Sequence, residues 1–447
     1  MRIMADTLLG GTMLKSMFAF GRYNGLKKSL VTTAAAMTLL VSAGAASAQD
    51  ASGEIVMINW LGGAQGEMMG KLQDDFVAKN PSASFRDIVP QAAGDARGGI
   101  RQVILGGEQA DILINTWPAF RKELADSALI LPVDDVWESQ NLGGKLPDAW
   151  KNLSVIDGKN YGVTYTFGDR SGIWYQPSVL KAAGIEVPTT WDEFKATFKP
   201  LNDNGVTPMS IPAKVWAHAE WFESILIRSA GVETATKLAN HEIKWTDPAV
   251  KTALGKWAEL IEANCCAEPN TMLATAWDAS VDAALKTGDS AYVLMGMWLN
   301  TRAKVEYGKT PGEDFTILQF PAIGMGHDDT SMVDAKEINM LATAKNKEGS
   351  AAFMAYMLTA DAAAIMAEYG LASPSADADA SLYDAVVRKS VEEVSKAASV
   401  QFVLGDLLPG DLGGEYRVQL QKFLTDPSPE NIDAVTAAIE KVAEGAY

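Results

Sequence analysis

Ile55-Val56-Met57-Ile58-Asn59-Trp60-Leu61-Gly62-Gly63 is a short apolar run that stops at a glycine pair. A run of this length, closed by glycines, reads as a strand buried on both faces, the kind found in parallel sheets. Met69, Leu72 and Phe76 then recur at helical spacing, and Asn80-Pro81 ends that helix. Ser84 to Val89 reads as a second strand. Ile100, Val103 and Ile104 mark a second helix, closed by Gly106-Gly107, and Asp111 to Asn115 is a third strand. This β-α-β-α-β order predicts a parallel sheet with helices on both faces. Ligands of such sheets sit at the carboxyl ends of the strands. Trp60 and Asn115-Thr116-Trp117 stand at two such ends.

Upstream, residues 1–48 read as a secretory signal segment. Arg22, Lys27 and Lys28 form its basic region, Leu30 to Val41 its apolar region, and Ala46-Ser47-Ala48 a cleavage site. The apolar part is shorter than the ~20 residues a spanning helix needs. A start at Met13 or Met17 gives a signal of more ordinary length. No cysteine precedes Cys265, so cleavage exposes no lipidation site, and the expected product is periplasmic and untethered. What remains, roughly 400 residues, is too long for one ordinary core and predicts two domains. The net charge of the whole chain is −18, and the segment removed is basic. Such acidity disfavours nucleic acid and anionic lipid surfaces as partners. The two cysteines, Cys265 and Cys266, are neighbours and cannot staple a long loop. A vicinal disulfide, two thiols and an outside pairing all stay open.

Downstream, Asp157-Gly158-Lys159 is a turn, and Tyr161 to Tyr175 reads as extended chain. Thr190 and Glu193 have the spacing of a capping box at a helix start. Helical patterns follow to about Leu285. Ser290 to Met297 and Phe315 to Phe320 are apolar strands, ending at Trp298 and Pro321. Glu337 to Ala344 reads as extended, and Ala351 to Tyr369 as one small-residue helix. No internal repeat and no low-complexity linker appears.

These pieces carry a resemblance. Asn59-Trp60-Leu61-Gly62-Gly63, Ala110-Asp111-Ile112-Leu113, Leu129-Ile130-Leu131-Pro132-Val133-Asp134 and Asp157-Gly158-Lys159-Asn160-Tyr161-Gly162-Val163 come in order. So do Ile173-Trp174-Tyr175, Gly184-Ile185, Pro188 to Phe194, Met295-Gly296-Met297-Trp298 and Phe320-Pro321-Ala322. Together they resemble the extracellular solute-binding proteins of the maltodextrin-binding type, which feed ABC sugar importers. One departure is Thr164, where the family usually has proline after the Tyr-Gly-Val crossover. Another is Thr166 to Arg170, which is unlike the commoner sugar-binding versions. The resemblance implies an α/β, two-lobed periplasmic-binding-protein fold with mostly parallel sheets flanked by helices. It places the ligand cleft between lobes joined by hinge strands. One lobe is expected at 49–163 plus 322–370, and the other at 164–321 plus 371–447. The implied partners are a small carbohydrate and an ABC permease. A monomer without cofactor is expected.

The chain holds twelve tryptophans. Indole faces stack on the C–H patches of sugars, whose hydroxyls need directed hydrogen-bond partners. Trp60, Trp117, Trp216 and Trp298 are the candidates for such walls, and the resemblance supports Trp60 and Trp298. Trp191, Trp245 and Trp257 lie in or beside helices and are read as packing residues. Gln65 is preferred to Glu67, whose carboxylate suits the helix start it occupies. Asn115 stands at a strand end. Asp169 and Arg170 lie in the first crossover, and Arg170 has the fork geometry to hold a carboxylate. Asp334 and Lys336 precede the returning strand, and His218 follows Trp216 by two residues.

No catalytic or metal site is expected. His218, His241 and His327 are far apart, and none stands in a metal or triad motif. Gly62-Gly63 is too short for a phosphate loop. The expected function is sugar capture for import, with a neutral sugar or short oligosaccharide favoured. The alternatives are a secreted carbohydrate-active enzyme, a binder of a sugar acid or other small polar solute, and a binding protein that reports to a sensor.

Overall fold

The computed structural model describes residues 51–91 and 95–447. The expected signal segment lies outside these residues. Among the described residues the strands are β1 (Gly53–Ile58), β2 (Ala83–Ile88), β3 (Ile112–Asn115), β4 (Ile130–Leu131), β5 (Val155–Ile156), β6 (Lys159–Asn160), β7 (Val163–Asp169), β8 (Ile173–Tyr175), β9 (Thr207–Met209), β10 (Ser290–Leu294), β11 (Thr316–Leu318), β12 (Thr330–Leu341) and β13 (Ser399–Phe402). Three helices follow the first strands: α1 (Gly63–Lys79), α2 (Ala96–Leu105) and α3 (Pro118–Asp126).

A large sheet runs β13-β12-β3-β1-β2, with β4 and β7 also paired to β12. Its first strands alternate between two cores. Ile55, Met57, Ile112 and Ile114 join one cluster with Met68, Leu72 and Phe76 of α1. Val56, Ile58 and Leu113 join another with Ile100 of α2 and Phe120 and Leu124 of α3. Two buried faces explain why β1 reads as a continuous apolar run. The smaller sheet runs β11-β8-β10-β9 and repeats the pattern. Trp174 and Val293 point to the first cluster. Ile173, Tyr175, Tyr292 and Leu294 point to the helices of the other face.

The sheets are mixed, which corrects the expectation of mostly parallel pairing. β1 pairs in parallel with β2 and β3, but β12 runs antiparallel to β3, β4 and β7. β7 leaves the large sheet beside the place where β12 enters it, so the two lie side by side in opposite directions. The extended stretch from Tyr161 to Tyr175 is really two strands in two sheets. β7 ends at Asp169, and β8 starts at Ile173 in the small sheet. The boundary expected after Val163 therefore falls inside β7. Asp169 pins this crossing: its Oδ1 accepts from Ser171 N at 2.9 Å and from Ser331 Oγ at 2.8 Å.

Other expectations shift for local reasons. β9 interrupts the stretch read as helical to Leu285, because three residues are too few to show alternation. β12 begins at Thr330, well before Glu337, because buried Ser331, Asp334 and Lys336 hide it from an apolar pattern. The small-residue helix is two helices, Lys347–Tyr356 and Ala360–Glu368, bent by 65°. Thr359 caps the second by accepting from Ala362 N. Among the described residues no single helix is long and apolar enough to cross a membrane. Cys265 and Cys266 form a vicinal disulfide.

The capping box is formed. Thr190 Oγ1 accepts from Glu193 N at 3.3 Å, and Glu193 Oε2 accepts from Thr190 N at 3.1 Å. Thr190→Ala is expected to lower the unfolding free energy by about 1 kcal/mol in urea titration. No change would mean that this helix does not depend on its cap.

Candidate functional site

A cavity of about 450 Å³ opens between the two sheets. Eight of the expected residues line it: Trp60, Gln65, Trp117, Arg170, Trp216, Trp298, Asp334 and Lys336. The large-sheet side supplies Trp60 and Gln65 after β1, Trp117 after β3, and Asp334 and Lys336 from β12. Trp216, in the loop after β9, and Trp298, after β10, come from the small-sheet side.

Asn115, Asp169 and His218 do not line the cavity, which corrects three expectations. Asn115 is fully buried and shapes the strand end. Its Oδ1 accepts from Thr116 N and Trp117 N at 2.9 and 3.1 Å, which turns the chain and delivers Trp117 to the wall. Asp169 is turned into the crossing, as above, and burial pushes its carboxyl up to about 6. His218 is buried and its Nε2 donates to the Arg417 carbonyl at 2.9 Å. It fastens the loop carrying Trp216 to the helix carrying Arg417. Each of the three side chains found at least one partner within the fold, which offsets the cost of its burial.

Arg170 is the electrostatic hub. It is 6 % exposed and ion-pairs with Glu220, the first acidic residue of helix Ala219–Ala239. Its Nη1 lies 3.8 Å from Asp334 and 4.0 Å from Asp406. Burial alone would lower its pKa, but Glu220, Asp334 and Asp406 raise it overall. Its guanidinium carbon sits 4.6 Å from the ring centre of Trp298 and 5.8 Å from that of Trp216, in cation–π range. A side chain at Gly296 would overlap the Trp298 ring and the Arg170 stem, so the stack requires glycine there. The face of Trp298 on which a sugar was expected is thus partly covered by Arg170.

The remaining lining cations are paired too. Arg97 and Arg417 meet Asp95, Arg302 meets Asp282 at 3.2 Å, and Lys336 lies 3.7 Å from Asp334. Trp60 stacks at a tilt on Trp117, centres 4.9 Å apart, and its Nε1 donates to Ile114 O. Six lining polar atoms are buried without a protein partner: Gln65 Nε2, Arg170 Nε, Arg417 Nε, Glu220 Oε2, Glu223 Oε2 and Thr301 Oγ1. The three nitrogens donate, the hydroxyl can do both, and the carboxyl oxygens accept when ionised. Glu223 spends its other oxygen on the Tyr416 hydroxyl and Gly405 N.

Sequence reading missed Asp95, Arg97, Glu220, Glu223, Trp277, Arg302, Glu306, Asp406 and Arg417 on these walls. Glu220 and Glu223 left a signal. They sit among Trp221, Phe222 and Ile225, where a carboxylate must be either paired or functional. The other charged residues left none, because a charge outside an apolar run normally reads as a solvated surface. Among the described residues no group of three or more His, Cys, Asp or Glu is placed to hold a metal ion.

Residues 86–364 match the bacterial extracellular solute-binding protein family, and the chain belongs to it. The osmoprotective compounds-binding protein GgtB of Synechocystis is 25 % identical over 315 residues, 69 % of this chain and 74 % of that protein. A probable sugar-binding periplasmic protein of Mesorhizobium japonicum is 23 % identical over 437 residues, 93 % of this chain and 99 % of that one. The solved structure of the bacterial solute receptor AcbH, described as exclusive for β-D-galactopyranose, superposes with a TM-score of 0.79 at 22 % identity. It covers 88 % of this chain and 98 % of its own. That likeness establishes the two-domain solute-binding fold.

The buried glutamates carry a pH signature. Burial pushes Glu220 up to about 7, against the pull of Arg170, and Glu223 up to about 8. Both folded values exceed the unfolded 4.5, so in between the folded protein holds protons the unfolded chain has released. That part of the stability is present at low pH and is lost as pH rises through the folded values. His218 acts oppositely, because burial lowers it from 6.5 to about 4. Above 6.5 the glutamates therefore dominate. The melting temperature is expected to fall between about pH 6.5 and 8, and Glu223→Gln is expected to flatten that slope. Equal slopes in calorimetry would show that Glu223 is not protonated in the folded state.

Proposed function

We propose that this protein captures a neutral sugar or short oligosaccharide in the cavity between two lobes and delivers it to an ABC permease. The observation that supports this most is the pairing of charge around tryptophan walls. Every lining cation faces a carboxylate, and the atoms left over are a mixture of donors and acceptors. Hydroxyl groups both donate and accept, and C–H faces stack on indoles, so a sugar answers both demands. A carboxylate ligand would compete with Glu220, Asp334 and Asp406 for Arg170. The cavity volume lies within the usual range for small ligands.

The relatives' names support the same class. One is named for sugars, and the receptor with the similar fold is described as preferring a galactopyranose. The relative named for osmoprotective compounds widens the class to other small polar solutes. In this reading the elements around the large and small sheets are the two lobes, the chain crosses at Arg170–Gly172, and a second crossing lies between β11 and β12. Ligand closes them about these crossings. The protein is a periplasmic monomer delivered by the signal segment, and it binds rather than cleaves.

A thermal-shift screen over sugars, polyols and sugar acids tests the reading. A true ligand at 100 times its dissociation constant adds ~2.7 kcal/mol to folding. Trp216→Ala is expected to weaken the best neutral ligand by ~1–3 kcal/mol in calorimetric titration while the protein stays folded. Stabilisation by sugar acids alone would overturn the neutral-sugar reading.

A further inference from the structure

α1 begins without a cap of its own. Gly62 stands at its N-cap position, and no acidic residue occupies its first turn. This end of a 17-residue helix faces the cavity, whose wall includes Gly62, Gly63, Ala64 and Gln65. Unpaired N–H groups and the helix dipole make such an end attractive to an anion. Gln65 Nε2, in the same turn, is buried without a partner.

The anion comes from the chain itself. Glu306 Oε1 accepts from Ala64 N at 3.1 Å, across 242 residues of sequence. Gly63 has φ +53°, which favours glycine, and a Cβ there would stand 2.5 Å from that oxygen and push the carboxylate from this position. The other carboxylate oxygen lies 3.6 Å from Arg302 Nε. α1 follows β1 of the large sheet, whereas Glu306 follows β10 of the small one. The contact therefore joins opposite walls of the cavity.

We infer that Glu306 is a specificity-determining residue, whose carboxylate occupies the anion position at the N-terminus of α1 and excludes acidic solutes from that end of the cavity. Removing the carboxylate exposes N–H groups that a small anion can bind. Replacing it by an amide keeps the position filled. The inference extends the sugar-capture reading, but its test needs no sugar.

The probe is inorganic sulfate, compared with chloride at equal ionic strength, in thermal-shift assays on the full chain. Glu306→Ala is expected to gain several degrees with millimolar sulfate, while the parent and Glu306→Gln gain none. The Glu306 side chain is one-third exposed, so its removal leaves no buried void. Should the alanine variant not fold, Glu306→Ser, too short to reach Ala64 N, serves in its place. A folded variant that responds to sulfate no more than the parent overturns the inference and leaves the sugar reading standing. A parent that already binds sulfate as tightly as the variant overturns it as well. Failure of every neutral sugar in the earlier screen strikes the other reading instead.

Discussion

The backbone of β12 is hydrogen-bonded along both edges, and the site depends on that constraint. Thr330–Val333 pair with β13 and Glu337–Met340 with β3, while Val333–Ile338 pair with β7 on the opposite edge. All twelve residues of the strand are buried. A charged side chain on such a strand is largely shielded from water, so it must find a partner or destabilise the fold. Asp334 finds Arg170 and Lys336. Glu337, beyond a register shift, takes Arg121, Ser154, Asn115 and Asn339. The first set faces the cavity, and the second holds the sheet behind it.

The same requirement explains why the cavity is polar yet nearly balanced in charge. Arg170 is held by carboxylates from three separate segments and stacked on two tryptophans, so its orientation does not depend on a ligand. Groups fixed in advance need not be ordered when a solute arrives, which is the usual source of affinity in a preformed site. The atoms left unpartnered are then the ones available to read the ligand. They come from segments on both sides of the cavity, so in the proposed reading recognition depends on the relative position of the two halves.

Much of the fold was legible from residues alone. The alternation of Ile55, Val56, Met57 and Ile58 between two cores is what a continuous apolar run means when helices cover both faces. The rule that ligands gather at strand ends found Trp60 and Trp117. It failed at Asn115 because the last residue of β3 points into the sheet, where Glu337 awaits it. It failed at Asp169 and His218 because each met a partner distant in sequence, Ser331 in one case and the Arg417 carbonyl in the other. Glu306, Asp406 and Arg417 were silent for the converse reason: nothing near them in sequence distinguishes them from surface charges.

By itself the sequence determined the alternation of strands and helices, the helix starts, the aromatic supply and the family. All of these rest on neighbours a few residues apart, where spacing and capping act directly. Tertiary structure alone decided that β12 runs antiparallel to β7, that the chain crosses sheets at Arg170, and that Glu306 caps a helix across the cleft. Those outcomes depend on which remote segments share an edge or a wall. A side chain's charge, solvation and hydrogen bonds are set by whatever stands within a few ångströms of it, and chain order does not record that.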